Sequence, residues 1–303
     1  MRRSRLSQSN FLVVAAVALA YFLCAVGAIA FTRLSGHVAL LWLATALLVG
    51  ALLTRPATER PLHIASCFAA SVAATLAVSP YTPLAPVFGV ANIVEALIAW
   101  ALLRGLGVDA RMFLSLRALA VFVATAGVVA PLASGVIPAI TLPLYQGADP
   151  WAVWLSWAIG HGLGALIGTP IALLALAGAT YRDRFSGPAA LPRFVGITLL
   201  MGGVTGLCFA QSHLPLLFVP ILPLIAATMA FRVAGATLGV FLIALIGAAF
   251  TVMGMGPLEL IDGSDAFQLQ FFQFYLAVLF LIADNNGFMT GSTISINGGQ
   301  HMY

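Results

Sequence analysis

Apolar runs of 17 to 28 residues alternate with short polar breaks along almost the whole chain. A helix that crosses a bilayer needs about 20 mostly apolar residues. Ten stretches meet or approach that length: 11–32, 38–54, 62–79, 84–103, 113–135, 151–178, 194–211, 215–231, 234–255 and 267–283. Only "SHLP" separates the seventh from the eighth, and the last is short, so the pattern predicts eight to ten spans. The run from Phe11 to Phe31 follows "MRRSRLSQSN" and precedes no convincing small-residue cleavage site. It therefore reads as a first helix that stays in place rather than as a secretory signal. The expected fold class is an all-α integral membrane helix bundle.

Composition agrees with the pattern. Of 303 residues, 62% are hydrophobic and 7% charged, against about a quarter charged in a soluble domain. Mean hydropathy is +1.07. All 13 basic residues are arginine, which removes every lysine-dependent mechanism. The net charge of +4 is too small to point to nucleic acid. Cys24, Cys67 and Cys208 lie singly in apolar runs, with neither zinc-site nor disulfide spacing. No cofactor or metal site is expected; His37 and His213, both near the outer surface, have no partner spacing to support one.

Arginine placement predicts the orientation. With the N-terminus inside, Arg2, Arg3, Arg5, Arg55, Arg60, Arg104, Arg111, Arg117, Arg182, Arg184, Arg193 and Arg232 are cytoplasmic, and Arg33 alone is outside. Ten spans with both termini cytoplasmic satisfy the positive-inside bias. The inner (plasma) membrane is the expected location. Small residues recur in the spans, as in "GLGALIGTP" (162–170) and "AGATLGVF" (234–241), and these let helices approach closely. Sixteen prolines imply kinks or broken helices.

Few residues in the spans carry chemistry. Glu95 lies mid-span in "ANIVEALIAWALLR", with Asn92 one turn earlier on the same face. An intramembrane carboxylate is costly and is a functional candidate by default; the plainer reading is a packing carboxylate bonded to a neighbour. His161 in "WLSWAIGHGLGALIGTP" sits at a similar depth in a span that runs the same way. A Glu95–His161 pair would neutralise both groups and respond to pH or ligand; a lone histidine bonded to a carbonyl is the alternative. Trp151, Trp154 and Trp157 open the sixth span. The first two suit interfacial anchors, and Trp157 continues that face inward. The candidate ligand or signal cluster is thus Glu95, Asn92 and His161, with Trp157 shaping its outer wall. No catalytic residue is expected. The apolar segment 137–150 is expected to lie against the membrane and cap an outward-facing cavity.

Three stretches in order carry a resemblance: "LLWLATALLVGALL" (40–53), "NIVEALIAWALLR" (92–104) and "WLSWAIGHGLGALIGTPIALLAL" (154–176). Over residues 10 to 280 the chain resembles the membrane-associated sensor domain of the first type, the MASE type-one family. Asn92, Glu95, Trp157, Gly160, Gly164 and Pro170 match its pattern. The chain departs from it at Leu43, where proline is expected after Trp42, and at His161, where an acid is expected. The resemblance implies a sensory input module, usually placed before a cytoplasmic kinase or cyclase output. The expected partners are the bilayer, a small-molecule or physical signal, and a second copy of the chain.

The end of the chain has a different character. "GFMTGSTISINGGQHMY" (287–303) resembles the C-terminus of short-chain dehydrogenases of the acetoacetyl-CoA reductase kind, on Thr290, Gly291, Asn297, Gly298 and Gly299. Alternation from Thr293 to Asn297 predicts a strand. The Tyr-x-x-x-Lys pair of that family has no counterpart in a chain without lysine. The expected organisation is a cytoplasmic segment (1–10), a sensor-type bundle (11–282) without its usual output domain, and a reductase-like fragment (283–303) that is not a domain and not an enzyme. Rival readings are a transporter or channel, a membrane-anchored reductase remnant, and a pseudo-sensor without activity.

Overall fold

The computed structural model describes residues 8–34, 41–79, 82–110, 115–177 and 190–289, with side chains described in most of them. The described residues form twelve α-helices and contain no strand. They are α1 (Gln8–Leu34), α2 (Ala44–Thr54), α3 (Arg60–Val78), α4 (Ala85–Gly105), α5 (Leu116–Phe122), α6 (Ala130–Ser134), α7 (Val136–Gln146), α8 (Pro150–Leu176), α9 (Ala190–Phe209), α10 (Ile221–Phe231), α11 (Val233–Val252) and α12 (Asp265–Met289). Eight helical stretches are long and apolar enough to cross a membrane, and two apolar ones, 44–54 and 216–231, are shorter. The predicted range of eight to ten spans holds, and the protein is a multi-pass membrane helix bundle.

α8 is the most enclosed of the long helices and α9 the least. α1 packs on α3, α3 on α4, and α2 on α8. α9, α10, α11 and α12 form a second group that meets the first mainly along α8. Glycines set the closest approaches. A Cβ on Gly164 would collide with the Trp42 backbone, and one on Gly168 would lie 2.7 Å from the Ala46 Cβ. α8 and α2 therefore touch nearly backbone to backbone, as small residues permit in lipid.

Two predicted elements differ in form. The second span was expected over 38–54, but the helix begins only at Ala44, and residues 41–43 are not helical. The Trp42 N–H donates to the Gly160 carbonyl of α8 at 3.0 Å, so its backbone bonds across to a neighbour rather than along a helix. Irregular backbone at membrane depth is tolerated where protein surrounds it. The fifth span is broken by a π-helical turn, Val123–Val129, before α6. The Ala130 N–H reaches Thr125 O, five residues back, and Pro131 next to it has no N–H to give. Of the segment 137–150, residues up to Gln146 lie in helix α7, which Gly147 ends in the left-handed conformation, and Pro150 begins α8.

Candidate functional site

Glu95 projects from the middle of α4 and His161 from the middle of α8, each 2% exposed. His161 Nδ1 and Glu95 Oε2 are 2.6 Å apart. A separation this short is that of a hydrogen bond between the two side chains. A lone carboxylate at this depth would be expensive; a hydrogen-bonded one is less so.

The same carboxylate oxygen accepts a second bond, from Ser134 Oγ at 3.0 Å. The Trp157 indole N–H in turn donates to Ser134 Oγ at 3.0 Å. A directed chain therefore runs from Trp157 through Ser134 to Glu95 and His161, joining α8, α6 and α4. The imidazole is also sandwiched. Trp157 stacks on it with centroids 3.8 Å apart and planes 18° apart, and Trp42 stacks at 5.1 Å and 11°. Trp42 is held by its own indole bond to Thr45 Oγ1 at 3.1 Å.

Each helix presents its residue for a local reason. The π-helical turn adds a residue to the register ahead of α6, and such turns often occur at functional sites; Ser134, in α6, faces Glu95. Gly162 and Gly164 follow His161 on α8; a Cβ on Gly162 would strike Gly127 of the π-helical turn and one on Gly164 the Trp42 backbone that leads into α2. α4 buries Glu95 together with Asn92 and Ala96.

The sequence-predicted residues divide. Glu95, His161 and Trp157 come together. Asn92 is buried, but its amide donates to Ser71 Oγ of α3 at 2.9 Å, so it belongs to an adjacent layer. Of the two expected anchors, Trp151 is 64% exposed, as an interfacial residue should be, while the Trp154 indole N–H is tied to the Leu132 carbonyl at 2.8 Å. His213 is exposed, and its backbone N–H bonds to Gln211; His37 lies outside the described residues. Among the described residues no group of three His, Cys, Asp or Glu could hold a metal ion.

Ser134 and Trp42 were not expected at the site. A serine in an apolar helix commonly bonds its own backbone, and Ser134 also contacts Pro131 O at 3.3 Å. Nothing in the residues around Trp42 marks it, since it stands in an apolar run that reads as helix.

α12 continues as helix to Met289. The predicted strand at 293–297 and the turns at Thr290, Gly291, Asn297, Gly298 and Gly299 lie outside the described residues.

The family model MASE1 matches residues 12–283. No curated protein and no solved structure matches the chain. The match ends where the reductase-like stretch was expected to begin, and none of the three comparisons supports that second resemblance. With nine-tenths of its length under one family model, the chain belongs to the MASE1 family, the membrane-associated sensor domain of signalling proteins.

Proposed function

We propose that the chain Trp157–Ser134–Glu95–His161, clamped between Trp42 and Trp157, is the element through which this sensor domain registers its signal. Asn92 and Ser71 form the neighbouring polar layer. The observation that supports this reading most is the 2.6 Å contact between two buried titratable groups on different helices. Breaking it leaves a charge or an unsatisfied polar group in lipid, so the bundle has two discrete packings to choose from rather than a continuum. A signal, either a small molecule or a physical stimulus, acts by favouring one of them. α12 packs against α8, the helix that carries His161 and Trp157, and is the route by which a change of packing leaves the site. The proposed placement is the inner (plasma) membrane with both termini cytoplasmic, and the proposed assembly is a dimer. The stretch from 283 is proposed as a reductase-like fragment without catalysis; NADPH-dependent reduction by the purified protein would contradict that.

The test is a chimera in which α12 is joined in register to a histidine kinase or cyclase. Glu95→Gln and His161→Ala are expected to lock its output, high or low, while the protein still reaches the membrane. Output that matches the parent chimera under every stimulus that moves the parent would remove the site from the signalling path. Substrate uptake into proteoliposomes that depends on Glu95 would favour a transporter instead.

A further inference from the structure

The apolar run from Phe11 to Phe31 holds a single hydroxyl, that of Tyr21. Tyr21 shares the inward face of α1 with Val14, Val17 and Ala25, and it is 0% exposed. Phenylalanine would fill the same space without carrying a hydroxyl into an apolar bundle. The Thr45 hydroxyl, at the start of α2, and the Ser71 hydroxyl of α3 neighbour that of Tyr21, and Cys67 and Glu95 are the titratable groups that act on it. The Tyr21 hydroxyl closes no hydrogen bond with any described group. Buried polar groups that stay unpaired are few in native proteins, and each calls for an explanation.

The two neighbours lead to two sides of the candidate site. Thr45 Oγ1 accepts the Trp42 indole N–H at 3.1 Å, and Trp42 stacks on the His161 ring with centroids 5.1 Å apart. Ser71 Oγ accepts the Asn92 amide at 2.9 Å, and Asn92 lies one turn before Glu95 on α4. Asn92 Oδ1, on this second arm, is unpaired like the tyrosine. Thr45, Ser71, Asn92 and Glu95 are all buried. A hydroxyl oxygen has two acceptor positions, so Thr45 and Ser71 can each receive a bond from Tyr21 besides the one they hold. Tyr21 has one O–H to donate. It can support the Trp42 arm or the Asn92 arm, but not both at once.

We infer that Tyr21 is a positioning residue of the Glu95–His161 site. Donated to Thr45, its hydroxyl fixes Trp42 against His161; donated to Ser71, it fixes Asn92 and, through it, α4. The choice between the two acceptors draws α1 into the same unit as α2, α4 and α8. The role of Tyr21 in signalling rests on the Glu95–His161 pair being the signal element; its geometry does not.

The test uses the full chain in lipid nanodiscs, isotope-labelled at tryptophan, asparagine and histidine, with side-chain nitrogen signals read by NMR. Tyr21→Phe keeps the ring and removes only the hydroxyl. It should shift the Trp42 indole, the Asn92 amide and the His161 ring signals. The Trp42 N–H should also exchange with deuterium roughly fivefold faster, the factor for one hydrogen bond of ordinary strength. The Trp154 indole, bonded to the Leu132 carbonyl, should stay in place. On a Thr45→Val background, Tyr21→Phe should still move Asn92 but no longer Trp42. Val17→Ala, a plain loss of core volume one turn earlier on α1, should lower the melting temperature and leave the three signals where they are. Unmoved Trp42 and Asn92 signals in Tyr21→Phe, or a moved Trp42 with an unmoved His161, would overturn the inference. Neither result bears on whether the pair signals, which the kinase or cyclase chimera decides.

Discussion

The helices up to α8 and the helices from α9 onward solve burial in different ways. The first group buries Glu59, His63, Asn92, Glu95, Ser134 and His161. In the second, the buried polar residues among those described are Thr205, Thr228, Thr237 and Gln273, none of them charged. Ring contacts such as Phe209 against Phe272, 5.8 Å between centroids, fill its interior. A dry interior can slide or tilt at small cost, because one van der Waals contact is replaced by another. A polar interior cannot, since every lost bond leaves a group that lipid will not satisfy. The polar half is therefore the part suited to two distinct states, and the dry half is the part suited to follow it.

The sharpest way to break that contrast is to remove one partner of the buried pair. Glu95→Ala should destabilise the protein by about 3–5 kcal/mol, the cost of breaking a buried pair and leaving its partner unpaired, measured as loss of melting temperature in nanodiscs. Glu95→Gln keeps a hydrogen-bonding group in place and should cost clearly less. Next comes the helix seam that carries the site. Gly164→Ala drives a Cβ into the Trp42 backbone and should cost about 1–3 kcal/mol by overpacking, with red-shifted tryptophan emission as Trp42 is pushed out. Trp157→Phe keeps a ring against His161 but loses the bond to Ser134; about 1 kcal/mol is expected. The smallest effect belongs to the dry half. A Cβ on Gly203 of α9 meets nothing within 4 Å, so Gly203→Ala should be neutral or stabilising by up to about 1 kcal/mol. Equal sensitivity at Gly164 and Gly203 would mean that the close approach of α8 to Trp42 does not hold the seam.

The spans were legible because lipid imposes a length and forbids charge, and both leave marks in the residues. Glu95 and His161 were legible for the same reason; similar depth allowed their pairing, but a lone histidine bonded to a carbonyl fitted the sequence as well, and only the structure brings the two within 2.6 Å. The break at 41–43 was not legible. The run 38–54 is continuously apolar, and what ends the helix is a tertiary bond from Trp42 to Gly160. Ser134 was hidden among hydroxyls that look identical in sequence whether they bond their own helix or a neighbour's carboxylate. The assignment of Asn92 to the Glu95 cluster was half right: helical spacing put both residues on one buried face but not on one partner.

The most direct test of the central claim is a double-mutant cycle on Glu95 and His161. The measured quantity is unfolding free energy in lipid nanodiscs for the wild type, Glu95→Gln, His161→Gln and the double variant. If the two groups form one buried, coupled unit, the single changes should be strongly non-additive, with a coupling of about 1.5–3 kcal/mol. Additivity within about 0.5 kcal/mol would mean that the two side chains do not act on each other, and the proposed switch would have no physical basis.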